Sequence, residues 1–143
     1  MSWGNGPWVA DTSAWARAAE PSVAPAWTNA AKQNALAACP VVTLELLYEG
    51  RDAEAVRRVA AATAALPQAP ITRAVTDAAI GAIQELAERG SAGSHRVRVP
   101  DALIAAAAAE RGFGVLHYER HFDVLSTVLG FDSRWVAPPG SVD

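Results

Sequence analysis

The chain has 143 residues, 51% of them hydrophobic, and a formal net charge of −3. This length suits one domain around one core, and the hydrophobic content excludes an intrinsically disordered chain. The slightly acidic balance argues against a protein that coats nucleic acid through bulk positive charge. It does not exclude a nuclease, because acids that bind a metal ion are counted as if they were ordinary surface charges.

The single cysteine and the lack of long apolar runs indicate the cellular compartment in which we expect the protein. Cys39 is the only cysteine, so no disulfide forms within the chain, which fits a reducing cytoplasm. Its alanine-rich surroundings predict a small core residue rather than a nucleophile. Residues 1–8 lack the basic and apolar regions of a signal peptide. No apolar run reaches the ~18–20 residues of a membrane span, so we expect a cytoplasmic protein without membrane contact.

The first third of the chain predicts one strand followed by helices. Residues 1–7 contain two glycines and a proline and are expected to form a loose leader. Residues 8–10 are predicted to form a strand, after which Thr12 and Ser13 offer N-cap chemistry for a short helix. Residues 27–39 are rich in alanine and predict a helix that ends at the following proline.

The middle of the chain is less uniform. Residues 41–49 fit either state, since their β-branched start favours a strand and their leucine spacing favours a helix. Residues 53–66 and 74–89 carry apolar side chains at helical spacing and predict amphipathic helices. Between these two helices, residues 71–72 are expected to form a short strand.

The last third predicts further alternation of strands and helices. We expect a flexible connection at 90–94, a strand at 97–99, a helix at 101–111, a strand at 114–118, a helix at 122–129, a strand at 134–136 and a tail at 137–143. Such alternation predicts an α/β protein with a parallel sheet.

Three acidic residues are expected to meet at one edge of this sheet. Asp11 and Glu119 each follow a predicted strand, and Asp101 begins a helix directly after one. Ligands bind beyond the carboxyl ends of parallel strands, where all three would lie. Carboxylates beside apolar runs are costly unless they are paired or bind a cation. The sequence therefore predicts an oxygen-rich site for Mg²⁺ or Mn²⁺, suited to phosphodiester hydrolysis.

Five segments carry the motifs of a known family, at residues 9–15, 40–47, 99–108, 116–123 and 135–141. In their order and spacing they resemble PIN-domain ribonucleases, in particular the VapC toxins of type II toxin–antitoxin systems, and the resemblance covers about residues 8–143. It implies one PIN domain over residues 1–143, with a three-layer α/β/α fold and a parallel sheet of four to five strands flanked by helices. It also implies an endoribonuclease that depends on one or two Mg²⁺ or Mn²⁺ ions, a homodimer and a VapB antitoxin as partner.

The resemblance assigns the site residues. Asp11, Glu45 and Asp101 match the first three acids of the family, and Glu119 takes the place of the fourth. It places Glu45 on a helix, and it matches Thr12 or Ser13 to a hydroxyl that supports the metal site. Asp11, Asp101 and Glu119 are thus expected to hold the metal, with Glu45 bound directly or through water.

The fourth motif departs from the common form His-Tyr-Asp-Arg-Asp-Phe. Glu119 stands for the first Asp and His121 for the second. The longer glutamate moves its carboxylate, while Mg²⁺ demands near-ideal geometry at ~2.0–2.1 Å. The histidine removes an oxygen ligand and suits Mn²⁺ better than Mg²⁺. Asp123 is expected to cap or decorate a helix rather than to compensate.

Other interpretations remain open at this stage. Asp11 and Asp101 could act only as charges at helix N-termini, and Glu45 could lie on a solvated helix face. His117 is expected to be packed and hydrogen-bonded, and His121 to lie on the surface. The changes at Glu119 and His121 suggest an alternative function, a PIN-fold module that binds RNA or protein with weakened or lost catalysis. A metal-dependent phosphatase on a related sheet is a third hypothesis.

Overall fold

The structure, a computed structural model, describes residues 3–89 and 95–143. Within these residues a four-stranded, fully parallel sheet runs in the order β2-β1-β3-β4, with helices on both faces. The predicted α/β class with a parallel sheet of four to five strands is confirmed. The strands are β1 Trp8–Ala10, β2 Leu36–Ala37, β3 Gly114–His117 and β4 Ser133–Trp135.

The helices begin at residues with clear capping chemistry. Side chains of Asp11, Asp52 and Thr72 cap three of the helices. Three others carry proline in the first turn, where its missing N–H costs nothing. The helices are α1 Thr12–Trp15, α2 Ala24–Lys32, α3 Pro40–Tyr48, α4 Ala53–Ala64, α5 Arg73–Glu88, α6 Val99–Arg111 and α7 His121–Ser126.

The sheet separates two apolar clusters. Alternate strand residues point to opposite faces, so Val9 and Val115 join the cluster that contains α5 and α6. Trp8 and Leu116 join the other cluster, with α2 and the N-terminal Trp3. Helix α6 packs on β1 and β3 and is buried along most of its length. The architecture is therefore the expected three-layer α/β/α arrangement.

Three predicted elements were wrong. The helix predicted for 27–39 ends at Lys32, because Leu36 and Ala37 pair with β1 as a strand. The strand predicted for 71–72 is absent, since Thr72 caps α5. The strand predicted for 97–99 is also absent, because Val99 forms the first turn of α6 with the proline that follows it. In the first case a tertiary pairing overrode alanine's helix preference.

Described residues of the predicted leader and tail pack on the domain. Trp3 is buried and lies edge-on to Trp27, with ring centroids 6.3 Å apart. At the other end, the Tyr118 hydroxyl donates to the carbonyl of Val142 at 3.0 Å. The flexible connection predicted for 90–94 lies outside the described residues. No helix within 3–89 and 95–143 has both the length and the apolar character needed to cross a membrane.

Two exposed glycines give a matched test of the helical assignments. Gly81 lies inside α5 and Gly112 ends α6 with φ of +70°, and a Cβ would meet nothing within 4 Å at either position. Alanine at Gly81 should raise the free energy of unfolding by about 0.5–1 kcal/mol through helix propensity. Alanine at Gly112 should lower it by about 1 kcal/mol, because a left-handed residue with a Cβ is strained. Urea denaturation measures both values, and two changes of the same sign would contradict these assignments.

Candidate active site

Asp11 is the first residue beyond β1, and its carboxylate caps α1. Its Oδ2 accepts hydrogen bonds from the Ser13 N–H at 3.1 Å and the Ser13 hydroxyl at 2.6 Å. The residue is only 4% exposed, and this burial raises the pKa of its carboxyl. The Ser13 donors oppose that rise, while the nearby charge of Glu45 adds to it. Asp11 is thus a helix cap and a buried charge at the same time.

Glu45 lies on α3, which follows β2 and resolves the ambiguous segment as a helix. Its Oε1 accepts a hydrogen bond from the Thr12 hydroxyl at 2.9 Å, and its Oε2 lies 3.5 Å from Arg98 Nη2. Glu45 therefore faces other site residues rather than open solvent. The two adjacent hydroxyls divide their roles, because Thr12 holds Glu45 and Ser13 holds Asp11.

Asp101 is the third residue of α6 and is 1% exposed. Its Oδ2 lies 3.3 Å from His121 Nδ1, and its Oδ1 lies 4.0 Å from Arg98 Nη1. Burial, and then the negative charge of Asp11, raise the pKa of this carboxyl to about 6. Although the strand expected before it is absent, α6 itself carries Asp101 to the sheet edge.

Glu119 follows β3 by two residues and is joined to Asp101 through His121. Its Oε1 accepts from the His121 N–H at 3.2 Å and lies 3.8 Å from His121 Nδ1. The prediction of a surface position for His121 was wrong, since its side chain is 20% exposed and sits between two carboxylates. Its Nδ1 also accepts the backbone N–H of Arg98 at 3.2 Å.

A chain of hydrogen bonds fixes the backbone at Glu119. The Glu119 N–H donates to Nδ1 of the fully buried His117 at 3.2 Å. Burial lowers the pKa of His117 to about 4, so the ring is neutral and its Nε2 donates to the Ser133 hydroxyl at 2.6 Å. That hydroxyl donates to Asp123 Oδ1 at 2.6 Å, and Trp135 Nε1 donates to Asp123 Oδ2 at 2.8 Å. Both oxygens of Asp123 are thus engaged by β4, so Asp123 does not substitute for Glu119.

Three of the four acids, Asp11, Glu45 and Asp101, are linked electrostatically rather than gathered with Glu119 in one ready-made cluster. The charge of Asp11 raises the pKa of Asp101, and the charge of Glu45 raises that of Asp11. Within the described part of the chain, no three side chains of Asp, Glu, His or Cys are arranged to hold a metal ion as they stand. The donor chemistry nevertheless fits a hard divalent cation, since four carboxylates and two hydroxyls offer oxygen ligands.

Sequence reasoning missed several residues of this site. Arg98 was not assigned to the site from the sequence, although its side chain contacts both Glu45 and Asp101. Arg98 precedes Asp101 by three residues, and side chains at this spacing contact each other at a helix start, so the sequence could have indicated this pair. No local pattern predicted that Ser133 and Trp135 would contact His117 and Asp123. The pairing of β3 with β4 brings them there.

Comparisons with known proteins agree with this architecture. The sequence pattern of the PIN domain matches residues 9–127. Ribonuclease VapC51 of Mycobacterium tuberculosis is 33% identical over 136 residues, which cover 95% of this chain and 97% of that protein. Ribonuclease VapC18 of the same species is 32% identical over 132 residues, covering 92% of this chain and 96% of that protein.

Solved structures share the fold at lower sequence identity. A chain in the DNA-bound VapBC complex of Salmonella typhimurium superposes with a TM-score of 0.67 at 16% identity, covering 91% of this chain and 98% of that chain. A chain of VapBC-5 from Mycobacterium tuberculosis gives a TM-score of 0.62 at 22% identity, covering 90% and 97%. The domain pattern and the near full-length relatives together show that this chain belongs to the PIN domain family, in the branch of the VapC ribonucleases.

Proposed function

We propose that the protein is the toxin of a type II toxin–antitoxin system and an endoribonuclease that hydrolyses RNA phosphodiester bonds. The observation that carries this proposal is the convergence of Asp11, Glu45 and Asp101 at the carboxyl edge of the sheet. The charge of Asp11 makes ionisation of the buried Asp101 more costly, and a neutral residue would meet any structural need at that position. The name ribonuclease borne by the near full-length relatives supports the same activity.

The oxygen-rich donor set of the site suits one or two Mg²⁺ or Mn²⁺ ions. Asp11, Asp101 and Glu119 would hold the metal, with Glu45 bound directly or through water. When bound, such an ion lowers the pKa of a water ligand and offsets negative charge on the phosphoryl oxygens. The chain's own part is positional: Thr12 and Ser13 orient the carboxylates of Glu45 and Asp11.

Partners and location complete the proposal. A VapB-type antitoxin and a second copy of the chain are the expected protein partners, RNA is the substrate, and the cytoplasm is the expected compartment. Large apolar side chains exposed on α3, α5 and α6 support protein contacts, since such patches mark interaction surfaces. The most exposed of these side chains are Leu44, Tyr48, Ile80 and Val99.

Replacing Asp11 by asparagine tests the proposed chemistry with little change in shape. The amide keeps an oxygen that can cap α1 but loses the charge that a metal requires. Cleavage of RNA with Mn²⁺ should fall by about 100-fold or more, as expected when a charge-stabilising group is lost. Asp52→Asn is the matched control, because Asp52 caps α4 in the same way on the exposed surface. Full activity of Asp11→Asn beside a metal-dependent wild type would refute the site.

Replacing Asp101 by asparagine should stabilise the metal-free protein at alkaline pH. The folded pKa of about 6 lies above the ordinary value of 3.8, so ionisation of Asp101 opposes folding. This penalty is absent below about pH 4, develops as the pH rises to about 6, and is complete above that value. In chelator, the melting temperature of Asp101→Asn should exceed that of wild type at pH 8 and match it at pH 4.

The exposed Asp77, which pairs only weakly with Arg73, supplies the control for that experiment. Asp77→Asn should show no gain that depends on pH. Equal melting temperatures of Asp101→Asn and wild type at pH 8 would show that burial of this carboxylate carries no cost.

One observation favours a second candidate, a PIN-fold module that binds RNA or protein without cleaving. Arg98 already offsets part of the negative charge of Glu45 and Asp101 through direct contacts. Calorimetric titration with Mn²⁺, followed by cleavage assays on single-stranded and structured RNA, separates the two candidates. Mn²⁺ binding with no cleavage of either RNA would favour the module.

A further inference from the structure

Among the residues that the structure describes, Arg98 is the one whose guanidinium contacts the acids of the site. Its Nη2 lies 3.5 Å from Glu45 Oε2, and its Nη1 lies 4.0 Å from Asp101 Oδ1. Guanidinium stays protonated at every pH that proteins tolerate. Arg98 therefore spans two of the acids that the proposed function assigns to the metal.

The backbone of Arg98 is held in place, whereas its side chain is accessible. Arg98 caps α6, and its carbonyl accepts the Ala102 N–H at 3.1 Å. Its own N–H donates to His121 Nδ1 at 3.2 Å, and the preceding Val97 is buried. The side chain, in contrast, is 55% exposed and makes long contacts with both acids. Such contacts are weak enough to be exchanged for others.

A divalent ion and Arg98 compete for the same negative charge. Burial and the charge of Asp11 raise the pKa of Asp101, and without metal the guanidinium of Arg98 opposes that rise. A divalent ion held by these carboxylate oxygens would repel the neighbouring guanidinium, and Arg98 would then lack its partners. A phosphodiester brings one negative charge with two free oxygens, and the planar fork of arginine matches that shape.

We propose that Arg98 is a substrate-binding residue that exchanges partners, pairing with Glu45 and Asp101 in the metal-free protein and with a backbone phosphate of the RNA once metal is bound. The inference rests on the proposed function, because it takes these acids as metal ligands. It has a distinctive consequence: Arg98 weakens metal binding in the absence of RNA, but it raises kcat/KM for RNA cleavage. A purely structural role for this residue would shift both properties in the same direction.

The test compares Arg98→Gln and Arg98→Lys with Arg96→Gln. Arg96 is exposed two residues earlier and forms no ion pair with any residue that the structure describes, so it controls for the loss of one positive charge. Mn²⁺ affinity is measured without RNA from the electron paramagnetic resonance signal of free Mn²⁺. Cleavage of a mixed-sequence single-stranded RNA gives kcat and KM at several salt concentrations.

Arg98→Gln should bind Mn²⁺ roughly threefold to tenfold more tightly, since a like charge beside the ion is removed. Its kcat/KM should fall by about tenfold, mainly through KM, which is the loss expected for one charged hydrogen bond. The slope of log(1/KM) against log[salt] should become shallower, by the amount expected when about one phosphate contact is lost. Arg98→Lys should retain the wild-type Mn²⁺ affinity and lose less kcat/KM, and Arg96→Gln should leave the Mn²⁺ affinity unchanged.

Two outcomes would overturn the inference while leaving the proposed function intact. In one, the wild type binds Mn²⁺ and cleaves RNA, but Arg98→Gln changes neither property. In the other, Mn²⁺ affinity and kcat/KM fall together in both Arg98 variants. A wild type that neither binds Mn²⁺ nor cleaves RNA would instead overturn the proposed function, and this inference with it.

Discussion

The burial of two carboxylates at the end of an apolar sheet is the constraint on which the site depends. Asp11 and Asp101 are both almost fully buried, and a neighbouring carboxylate makes each harder to ionise, Glu45 for Asp11 and Asp11 for Asp101. Uncompensated charges in such positions are expensive, so the surrounding polar groups are arranged to offset them. Ser13 donates twice to Asp11, and Arg98 and His121 approach Asp101. The same demand for positive charge is what suits the site to a divalent ion.

The alanine-rich packing of α6 on the sheet allows this arrangement. Helix α6 buries a run of small side chains on β1 and β3, which lets the helix lie close to the sheet. This brings its third residue, Asp101, within electrostatic reach of Asp11. On the opposite face, Gly114 lies so close to the Trp8 ring that a Cβ there would overlap the ring carbons. Small residues thus set both the helix-to-sheet spacing and the approach of β3 to β1.

Much of this framework could be predicted from local sequence. The strand at 8–10, the amphipathic helices around 53–66 and 74–89, and the parallel α/β class follow from hydrophobic spacing and helix caps. The position of Asp11 also follows, because a residue directly after a parallel strand lies at the ligand-binding edge. Glu45 needed the family resemblance, since residues 41–49 fit a strand or a helix equally well.

What could not be predicted depends on contacts between distant parts of the chain. Leu36 and Ala37 form a strand because they pair with β1, and no local pattern in the sequence predicts that pairing. The hydrogen bonds that hold Asp123 away from the acids come from β4, at Ser133 and Trp135. His121 was predicted to lie on the surface because no local pattern shows that the fold places its side chain between Asp101 and Glu119.

We infer that these acids, although not preassembled as a cluster, together bind the one or two divalent ions of the proposed function. The most direct measurement is the dissociation constant of Mn²⁺ for Asp11→Asn, Glu45→Gln, Asp101→Asn and Glu119→Gln, with Glu110→Gln as the control on the exposed end of α6. The account predicts that Asp11→Asn and Asp101→Asn each weaken binding by about tenfold or more and that Glu110→Gln has no effect. Unchanged Mn²⁺ affinity in both Asp11→Asn and Asp101→Asn would contradict it.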